Sequence, residues 1–165
     1  MKIIHNISEC VTVAGGPRRG KAMSDLAIIR DAAIVMSEEK IIAVGDSKEL
    51  MAKYPQAERI DAQGRAVVPG FVDPHTHLIW VGDRANEFEM RLQGKSYMEI
   101  MNAGGGILAT LTATRQADLE TMMAQSRERA VRAFRYGTTT MEAKTGYGLD
   151  LETEFWQLEA ILELN

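Results

Sequence analysis

The sequence contains a single cysteine, Cys10, and therefore cannot form an internal disulfide. It has no apolar run that approaches the roughly 18 residues of a membrane span, and its first residues lack the apolar segment of a signal peptide. Lysine and arginine are not concentrated in any block, and the formal net charge is -4. These absences argue against nucleic-acid and membrane partners, and we expect a cytoplasmic protein.

The composition is that of an ordinary globular protein. Of the 165 residues, 45% are hydrophobic and 25% are charged. A chain of this length can bury roughly 70% of the surface that its unfolded form exposes. A hydrophobic core can therefore form without a disulfide or a structural metal.

Residues 1–68 carry the pattern of a small β-rich domain. Short apolar runs alternate with turn residues, and a short helix over 47–54 is expected to begin with Ser47 as its cap. We expect these residues to form a small domain of the β-sandwich type. The predicted strands cover residues 3–7, 10–13, 26–30, 32–36, 40–45, 59–61 and 66–68.

Residues 69–165 change to alternating strands and helices, which is typical of the α/β class with parallel strands. The pattern predicts a strand over 71–80, a helix from Asp118 to just before Gly137, a strand over 138–143 and a helix capped by Asp150. We expect the start of a (β/α)8 TIM-like barrel that follows the β-rich domain. Such a barrel takes about 250 residues, so we expect this chain to be the truncated N-terminal part of a longer protein.

The segment PGFVDPHTHL, which begins at Pro69, contains two histidines two residues apart. Side chains on a strand alternate between its faces, so His75 and His77 are expected to point the same way near the carboxyl end of the strand. Two neutral imidazoles in this position can bind one zinc or iron ion, although an open catalytic site normally has at least three protein ligands. The alternative is a pair of polar residues at a sheet edge.

The segment PGFVDPHTH, following a small β-rich region, resembles the metal-dependent amidohydrolase superfamily. Three further segments, GDRANEFEMRLQGKSY, AGGGI and KTGYGLD, narrow the resemblance to enzymes that hydrolyse a cyclic amide. The resemblance implies one divalent metal ion, zinc or iron, held in part by His75 and His77. It implies a small-molecule substrate bound by Arg84 and Tyr147, and a homodimer of the full-length protein. It also places the catalytic residues and the remaining metal ligands beyond residue 165.

The two residues assigned to the substrate each have a structural alternative. Arg84 follows the predicted strand, where barrels bind their substrates, but a surface arginine paired with Asp83 or Glu87 would produce the same sequence. Tyr147 lies between two glycines and could be a turn residue whose ring packs on the surface. Both alternatives stay open at the level of the sequence.

Two other polar features lie near the predicted site. Glu142 and Lys144 share one strand face, and we expect an internal ion pair or a support for the site rather than a lysine that bridges two metals. The glycines at 104–106 lack the Gly-Lys-Ser/Thr ending of a phosphate-binding loop. We expect them to form a flexible or close-packed loop that covers the site.

Two further functions are compatible with these motifs. One is another cyclic amidohydrolase, or a deaminase, of the same superfamily, and the other is a non-catalytic truncated module. Because the third metal ligand and the general base are expected beyond residue 165, residues 1–165 alone are expected to lack hydrolase activity.

Overall fold

The polypeptide folds into two units, Met1–Pro69 and Gly70–Asn165, in a computed structural model that describes residues 1–165. The boundary predicted from the sequence, between residues 68 and 69, lies one residue before this division. The architecture is mixed α/β: the first unit is built mainly from strands, and the second mainly from helices around two parallel strands. None of the helices is both long enough and apolar enough to cross a membrane.

The first unit contains one four-stranded sheet with the order β3-β2-β1-β4. The pairs β1–β2 and β2–β3 are antiparallel, and β4 runs parallel to β1. A short helix, α1, follows β3, and a 3₁₀ turn lies between β1 and β2. The elements are β1 (Lys2–Val11), the 3₁₀ turn (Gly20–Ser24), β2 (Ile28–Ser37), β3 (Lys40–Asp46), α1 (Ser47–Lys53) and β4 (Glu58–Asp61).

Several predicted strands of the first unit are joined or absent. The strands predicted at 3–7 and 10–13 form one strand, β1, because Asn6 takes a positive φ of 57° at a bulge that bends the strand without ending it. Asp31 also has a positive φ, of 49°, and lies inside β2, which joins the strands predicted at 26–30 and 32–36. The extended piece predicted over 66–68 is not a full strand of the sheet, but an isolated parallel bridge joins Val67 to Cys10 of β1. The cap of α1 is Asp46 rather than Ser47.

Apolar side chains are buried on both faces of this sheet. Residues 32–35 of β2 are all buried, and because successive side chains point to opposite faces, they contribute to two different clusters. One cluster packs against α1, and the other lies on the opposite face. The clusters are Ile3, Ala33, Val35, Leu50 and Ala57, and Ile7, Cys10, Ala32 and Ile34. A sandwich needs a second sheet, and residues 1–69 supply one sheet only, so the sandwich prediction is not confirmed.

The second unit pairs two parallel strands that are connected through helices. The elements are β5 (Phe71–Thr76), α2 (Ala85–Leu92), α3 (Tyr97–Asn102), α4 (Ile107–Gln116), α5 (Leu119–Arg135), β6 (Thr138–Ala143) and α6 (Leu151–Leu164). The caps predicted for α5 and α6 are confirmed, because Asp118 accepts a hydrogen bond from Thr121 N and Asp150 accepts one from Thr153 N. No bounds are predicted from the sequence for α2, α3 or α4.

The strand predicted over 71–80 ends at Thr76, and the apolar residues that follow do not belong to the sheet. Ile79 and Val81 pack instead against Met122 of α5 and Ala160 of α6. The backbone here is held by side chains of neighbouring helices. Thr114 Oγ1 accepts from Val81 N at 3.1 Å, Gln125 Oε1 accepts from Gly82 N at 3.1 Å, and the Arg129 guanidinium donates to the carbonyls of Leu78 and Trp80. These bonds replace the ladder of a neighbouring strand.

Candidate functional site

The two histidines lie together where β5 ends. His75 is exposed near the end of the strand, and His77 is partly buried just after it. Their ring centroids are 6.0 Å apart, and the ring planes meet at 78°. His77 Nδ1 is buried and has no hydrogen-bond partner. A buried ring nitrogen without a partner is costly, and a ligand at this nitrogen would remove that cost.

The ring of Tyr147 lies beside His77. Tyr147 follows β6, so the parallel arrangement brings the carboxyl ends of both strands to one edge. The ring centroids of His77 and Tyr147 are 5.3 Å apart in an edge-to-face arrangement. The ring centroid of Trp80 lies 6.4 Å from that of Tyr147. Tyr147 is therefore not an isolated surface turn residue, since its ring is partly buried against His77 and Trp80.

The loop that carries Tyr147 is anchored by α6 and α4. Glu154 of α6 accepts hydrogen bonds from Gly148 N and Leu149 N, each at 2.8 Å. Arg115 of α4 donates to Gly148 O at 2.5 Å and pairs with Asp150 at 2.9 Å. Burial raises the pKa of Glu154, but hydrogen bonds from Thr145 and from the loop N–H groups outweigh it, so the pKa is lowered overall and the carboxylate stays charged.

Arg84 lies immediately before α2 and is held by Glu87. Arg84 Nε donates to Glu87 Oε1 at 2.9 Å, and Arg84 Nη2 donates to Glu87 Oε2 at 2.6 Å. The hydrogen bond to Glu87 is the main cause that raises the pKa of Arg84, and Tyr147 and Tyr97 add smaller electrostatic contributions. The pairing with Glu87 is therefore present. Asp83 forms no salt bridge with Arg84 and accepts a hydrogen bond from Ala85 N.

The pair between Arg84 and Glu87 still leaves binding capacity on the arginine. A guanidinium has five N–H donors, and these two hydrogen bonds use only part of them. The Arg84 side chain is 43% exposed, whereas that of Glu87 is 10% exposed. Glu87 is held in turn by Gly106 N, which donates to Oε1 at 2.7 Å. This arrangement presents a fixed guanidinium that can bind a further anion.

The predicted glycine loop packs closely rather than moving freely in solvent. A Cβ on Gly105 would lie 2.8 Å from Ile100 Cγ2 and 3.2 Å from the Glu87 carboxyl carbon. Gly106 supplies the N–H that binds Glu87. The loop therefore supports the residue that holds Arg84.

Glu142 and Lys144 form an ion pair, but the pair is partly exposed rather than internal as predicted. Lys144 Nζ lies 3.7 Å from Glu142 Oε1, and both side chains are more than a third exposed. The structure gives Lys144 no contact with either histidine that would suggest a metal-bridging role.

Residues 1–165 contain no group of three or more His, Cys, Asp or Glu side chains that could hold a metal ion. His75 and His77 are thus a partial donor set of two imidazoles. Neutral imidazole nitrogens suit zinc and iron. The unpartnered Nδ1 of His77 fits such a role.

Sequence reasoning missed the polar residues that hold the site together. Gln157 lies at a core position of α6, four residues after the buried Thr153 and three before the buried Ala160. Arg129 lies 4.1 Å above the ring of Trp80 and binds two carbonyls after β5. No apolar periodicity marks Gln157, because most of the large apolar residues of α6, such as Leu151 and Phe155, are exposed, and the buried positions of this helix are Thr153, Gln157 and Ala160.

Comparison with known proteins finds similar sequences over nearly the whole chain. Residues 58–117 match the amidohydrolase family. The chain is similar to an imidazolonepropionase of Herpetosiphon aurantiacus, with 47% identity over 163 residues, which are 99% of this chain and 38% of the relative. It is also similar to an imidazolonepropionase of Symbiobacterium thermophilum, with 48% identity, covering 96% of this chain and 38% of the relative. The chain thus spans about two fifths of the length of the curated relatives it matches.

Solved structures share the fold at low sequence identity. Guanine deaminase of E. coli has a TM-score of 0.68 and 20% identity, covering 99% of this chain and 34% of that chain. Aminofutalosine deaminase of Helicobacter pylori has a TM-score of 0.53 and 19% identity, covering 88% of this chain and 30% of that chain. At these identities the likeness is one of fold.

Proposed function

We propose that the full-length protein is an imidazolonepropionase of the amidohydrolase family, because residues 58–117 match that family and nearly the whole chain is similar to imidazolonepropionases. The reaction is hydrolysis of the cyclic amide of 4-imidazolone-5-propanoate to N-formimidoyl-L-glutamate. The observation that carries the proposal is the grouping of His75, His77 and Tyr147 at one edge of the parallel strands. An arginine held in a fixed orientation lies in the loop that follows the first of these strands.

His75 and His77 hold one divalent metal ion, zinc or iron, in this proposal. When bound, such an ion polarises the ring carbonyl and lowers the pKa of water. The partial donor set of two imidazoles, with His77 Nδ1 buried and unpartnered, supports this role. The remaining ligands and the general acid/base come from later parts of the full-length protein.

Arg84 and Tyr147 bind and orient the substrate. The substrate is anionic, and the partly exposed guanidinium of Arg84 has donors available for its propanoate carboxylate or its ring oxygen. Glu87 restricts the rotation of Arg84, so less conformational entropy is lost when the substrate binds. The Tyr147 hydroxyl, on a ring whose centroid is 5.3 Å from that of His77, holds the substrate with its carbonyl facing the metal site.

The architecture proposed for the full-length protein is a (β/α)8 barrel with a small β-sandwich-type domain completed by later residues. The two parallel strands and the helices after each support the start of such a barrel. Phe71 and Val72 of β5 are 56% and 65% exposed, and an apolar groove of about 590 Å³ lies along β6, α5 and α6. Further strands and helices of the barrel would cover these surfaces.

The setting proposed for the enzyme is the cytoplasm, as a homodimer. Its partner is a small-molecule substrate, and neither nucleic acid nor membrane is expected to bind. The net charge of -4 without a basic block supports the absence of polyanionic partners.

The test is turnover by the purified full-length protein loaded with zinc or iron. We expect ring opening of 4-imidazolone-5-propanoate to exceed turnover of cyclic ureides and aminopurines by at least about 100-fold in kcat/KM. Faster deamination of an aminopurine would replace the proposal with a deaminase. A protein with no turnover and no stoichiometric metal would be a non-catalytic module.

Substitution of Arg84 tests the substrate assignment. The variant Arg84→Lys keeps the charge and loses the planar fork, so we expect a rise of about 10-fold or more in KM for the anionic substrate. Arg135→Lys is the matched control, because Arg135 is an exposed arginine at the end of α5. An unchanged KM in Arg84→Lys would remove Arg84 from the binding site.

A further inference from the structure

Gln157 is a fully buried amide on α6 that the proposed mechanism does not use. Its side chain is 0% exposed. Its Oε1 accepts hydrogen bonds from two successive backbone groups, Gly146 N at 3.2 Å and Tyr147 N at 3.4 Å. Its Nε2 is buried and has no partner. The contribution of Gln157 to this loop therefore comes from its carbonyl oxygen.

The peptide that Gln157 holds lies directly against the ring of His77. Gly146 has a φ of +131°, which favours glycine, and a Cβ on it would lie 3.0 Å from His77 Cε1 and 3.3 Å from His77 Nδ1. The next residue, Tyr147, places its own ring 5.3 Å from that of His77. A shift of this one peptide therefore changes two contacts of the His77 ring, the contact with Gly146 and the contact with the Tyr147 ring.

The other half of the loop has a separate anchor. Glu154 binds Gly148 N and Leu149 N and also interacts with the backbone N–H of Gly146, and Arg115 binds Gly148 O and Asp150. Loss of the Gln157 oxygen is therefore expected to loosen the peptide beside His77, at Tyr147 N above all, while the rest of the loop stays in place.

We infer that Gln157 is a positioning residue, which holds the Gly146–Tyr147 peptide against His77 and so fixes the imidazole and the Tyr147 ring for metal and substrate binding. The catalytic part of this inference rests on the proposed function, whereas the part that concerns the peptide and the metal does not. Removal of an indirect support of a metal ligand typically costs 10-fold to 100-fold in metal affinity or activity, so an effect of at least about 10-fold is expected here.

The test compares Gln157→Leu with Gln157→Glu in the full-length protein. Leucine removes the acceptor, whereas glutamate keeps an oxygen at the same position in either protonation state. Glu159→Gln is the control, because Glu159 is exposed on the same helix. The readouts are hydrogen exchange of the Gly146 and Tyr147 amides in the metal-free protein, zinc affinity by competition with a chelator, and kcat and KM for the ring-opening reaction.

For Gln157→Leu we expect amide exchange at these two positions to be at least about 10-fold faster, with zinc binding and kcat/KM weakened by about 10-fold. For Gln157→Glu we expect all three values within about 3-fold of the unsubstituted protein. Unchanged exchange and zinc affinity in Gln157→Leu would overturn the inference. Equal losses in both variants would also overturn it, because the oxygen would then not be the group that matters.

A second variant covers the case in which Gln157→Leu does not fold. Gly146→Ala keeps the Gln157 oxygen and forces a methyl group against His77. We expect weaker zinc binding in Gly146→Ala, and unchanged zinc affinity there would contradict the role of this peptide. If the unsubstituted protein does not open the imidazolone ring, the proposed function fails, while amide exchange and zinc affinity still decide the role of Gln157.

Discussion

The two units bury different kinds of side chain. Every buried residue of Met1–Pro69 is apolar, and the buried polar residues all lie in Gly70–Asn165. The first unit satisfies its backbone mainly through the ladders of one sheet. The second satisfies two segments, after β5 and after β6, through side chains of its helices. The buried polar residues are Glu87, Thr110, Thr114, Ser126, Thr153 and Gln157.

This difference indicates where precise geometry is required. Apolar packing stabilises a unit without fixing any single polar atom, whereas a buried polar side chain has to meet its partner within hydrogen-bond distance. Glu87 and Gln157 are buried next to Arg84 and Tyr147, which are candidate substrate residues. Substitutions in the two units are therefore expected to affect different measurements.

The largest effect is expected from a histidine substitution in the second unit. In the full-length protein, His77→Ala should remove most of the bound metal and nearly all activity together, because it removes one of two imidazoles at the site. His5→Ala, in β1 of the first unit, is the matched control and should leave both quantities unchanged. Metal analysis and turnover measure the outcome, and full metal content in His77→Ala would contradict the ligand assignment.

A core substitution in the first unit should change stability and leave the site intact. Ile3 is fully buried in the cluster against α1, so Ile3→Ala should lower the free energy of unfolding by about 2–5 kcal/mol. Metal content and kcat of the folded protein should not change. Denaturant unfolding followed by activity assays separates the two quantities, and a lower kcat in fully folded protein would count against the division between the units.

Arginines in the two units should differ in their contribution to stability. Arg129 stacks on Trp80 and binds the carbonyls of Leu78 and Trp80, so Arg129→Met should cost about 1.5–3 kcal/mol of unfolding free energy. Arg30 of β2 forms an ion pair with Glu9 at 3.2 Å, but its side chain is 79% exposed. Arg30→Met should therefore cost no more than about 0.5 kcal/mol. Equal costs in the two variants would contradict the comparison.

Those elements of the fold that are specified by neighbouring residues could be predicted from the sequence. The caps at Asp118 and Asp150 and the strand β6 depend on local chemistry, and they were found. The end of β5 at Thr76 could not be predicted in this way. A run of apolar residues shows the same pattern whether its side chains pack within a sheet or against helices. The bonds that end the strand join residues more than 30 positions apart, such as Val81 and Thr114.

The candidate site was predictable in part for the same reason. His77 and Tyr147 each follow one of two parallel strands, and parallel strands end at a common edge, so the sequence brought these residues together. Gln157 was missed because nothing local marks it, and its partners lie in the loop before α6. The candidate residues could thus be proposed from motifs, whereas the residues that hold them are seen only in three dimensions.

Acid should weaken the second unit through Glu87. The hydrogen bond from Arg84 is the main cause that lowers the pKa of Glu87 below its ordinary value of 4.5. A lowered folded-state pKa adds stability that is present above about pH 4.5 and is lost as the pH falls through the folded-state value. Glu87→Gln should therefore show a shallower loss of stability below pH 4.5 than the unsubstituted protein.

The measurement is urea unfolding at a series of pH values. Arg84→Met should remove most of the same acid dependence, because it removes the main cause of the shift. The charge of Glu87 would then be supported mainly by Gly106 N. An identical pH profile in Glu87→Gln and the unsubstituted protein would show that this pair does not contribute to stability in acid.

The smallest effect is expected at the ion pair between Glu142 and Lys144, at the end of β6. Lys144 and Glu142 lie 3.7 Å apart and are both partly exposed, so Lys144→Gln should change the free energy of unfolding by no more than about 0.5 kcal/mol. Metal content should also stay the same, because the pair does not include either histidine. This variant separates an ordinary surface pair from a lysine that bridges two metals. A loss of metal in Lys144→Gln would instead assign Lys144 to the metal site. The polar residues that serve the site in the second unit would then include the pair at the end of β6.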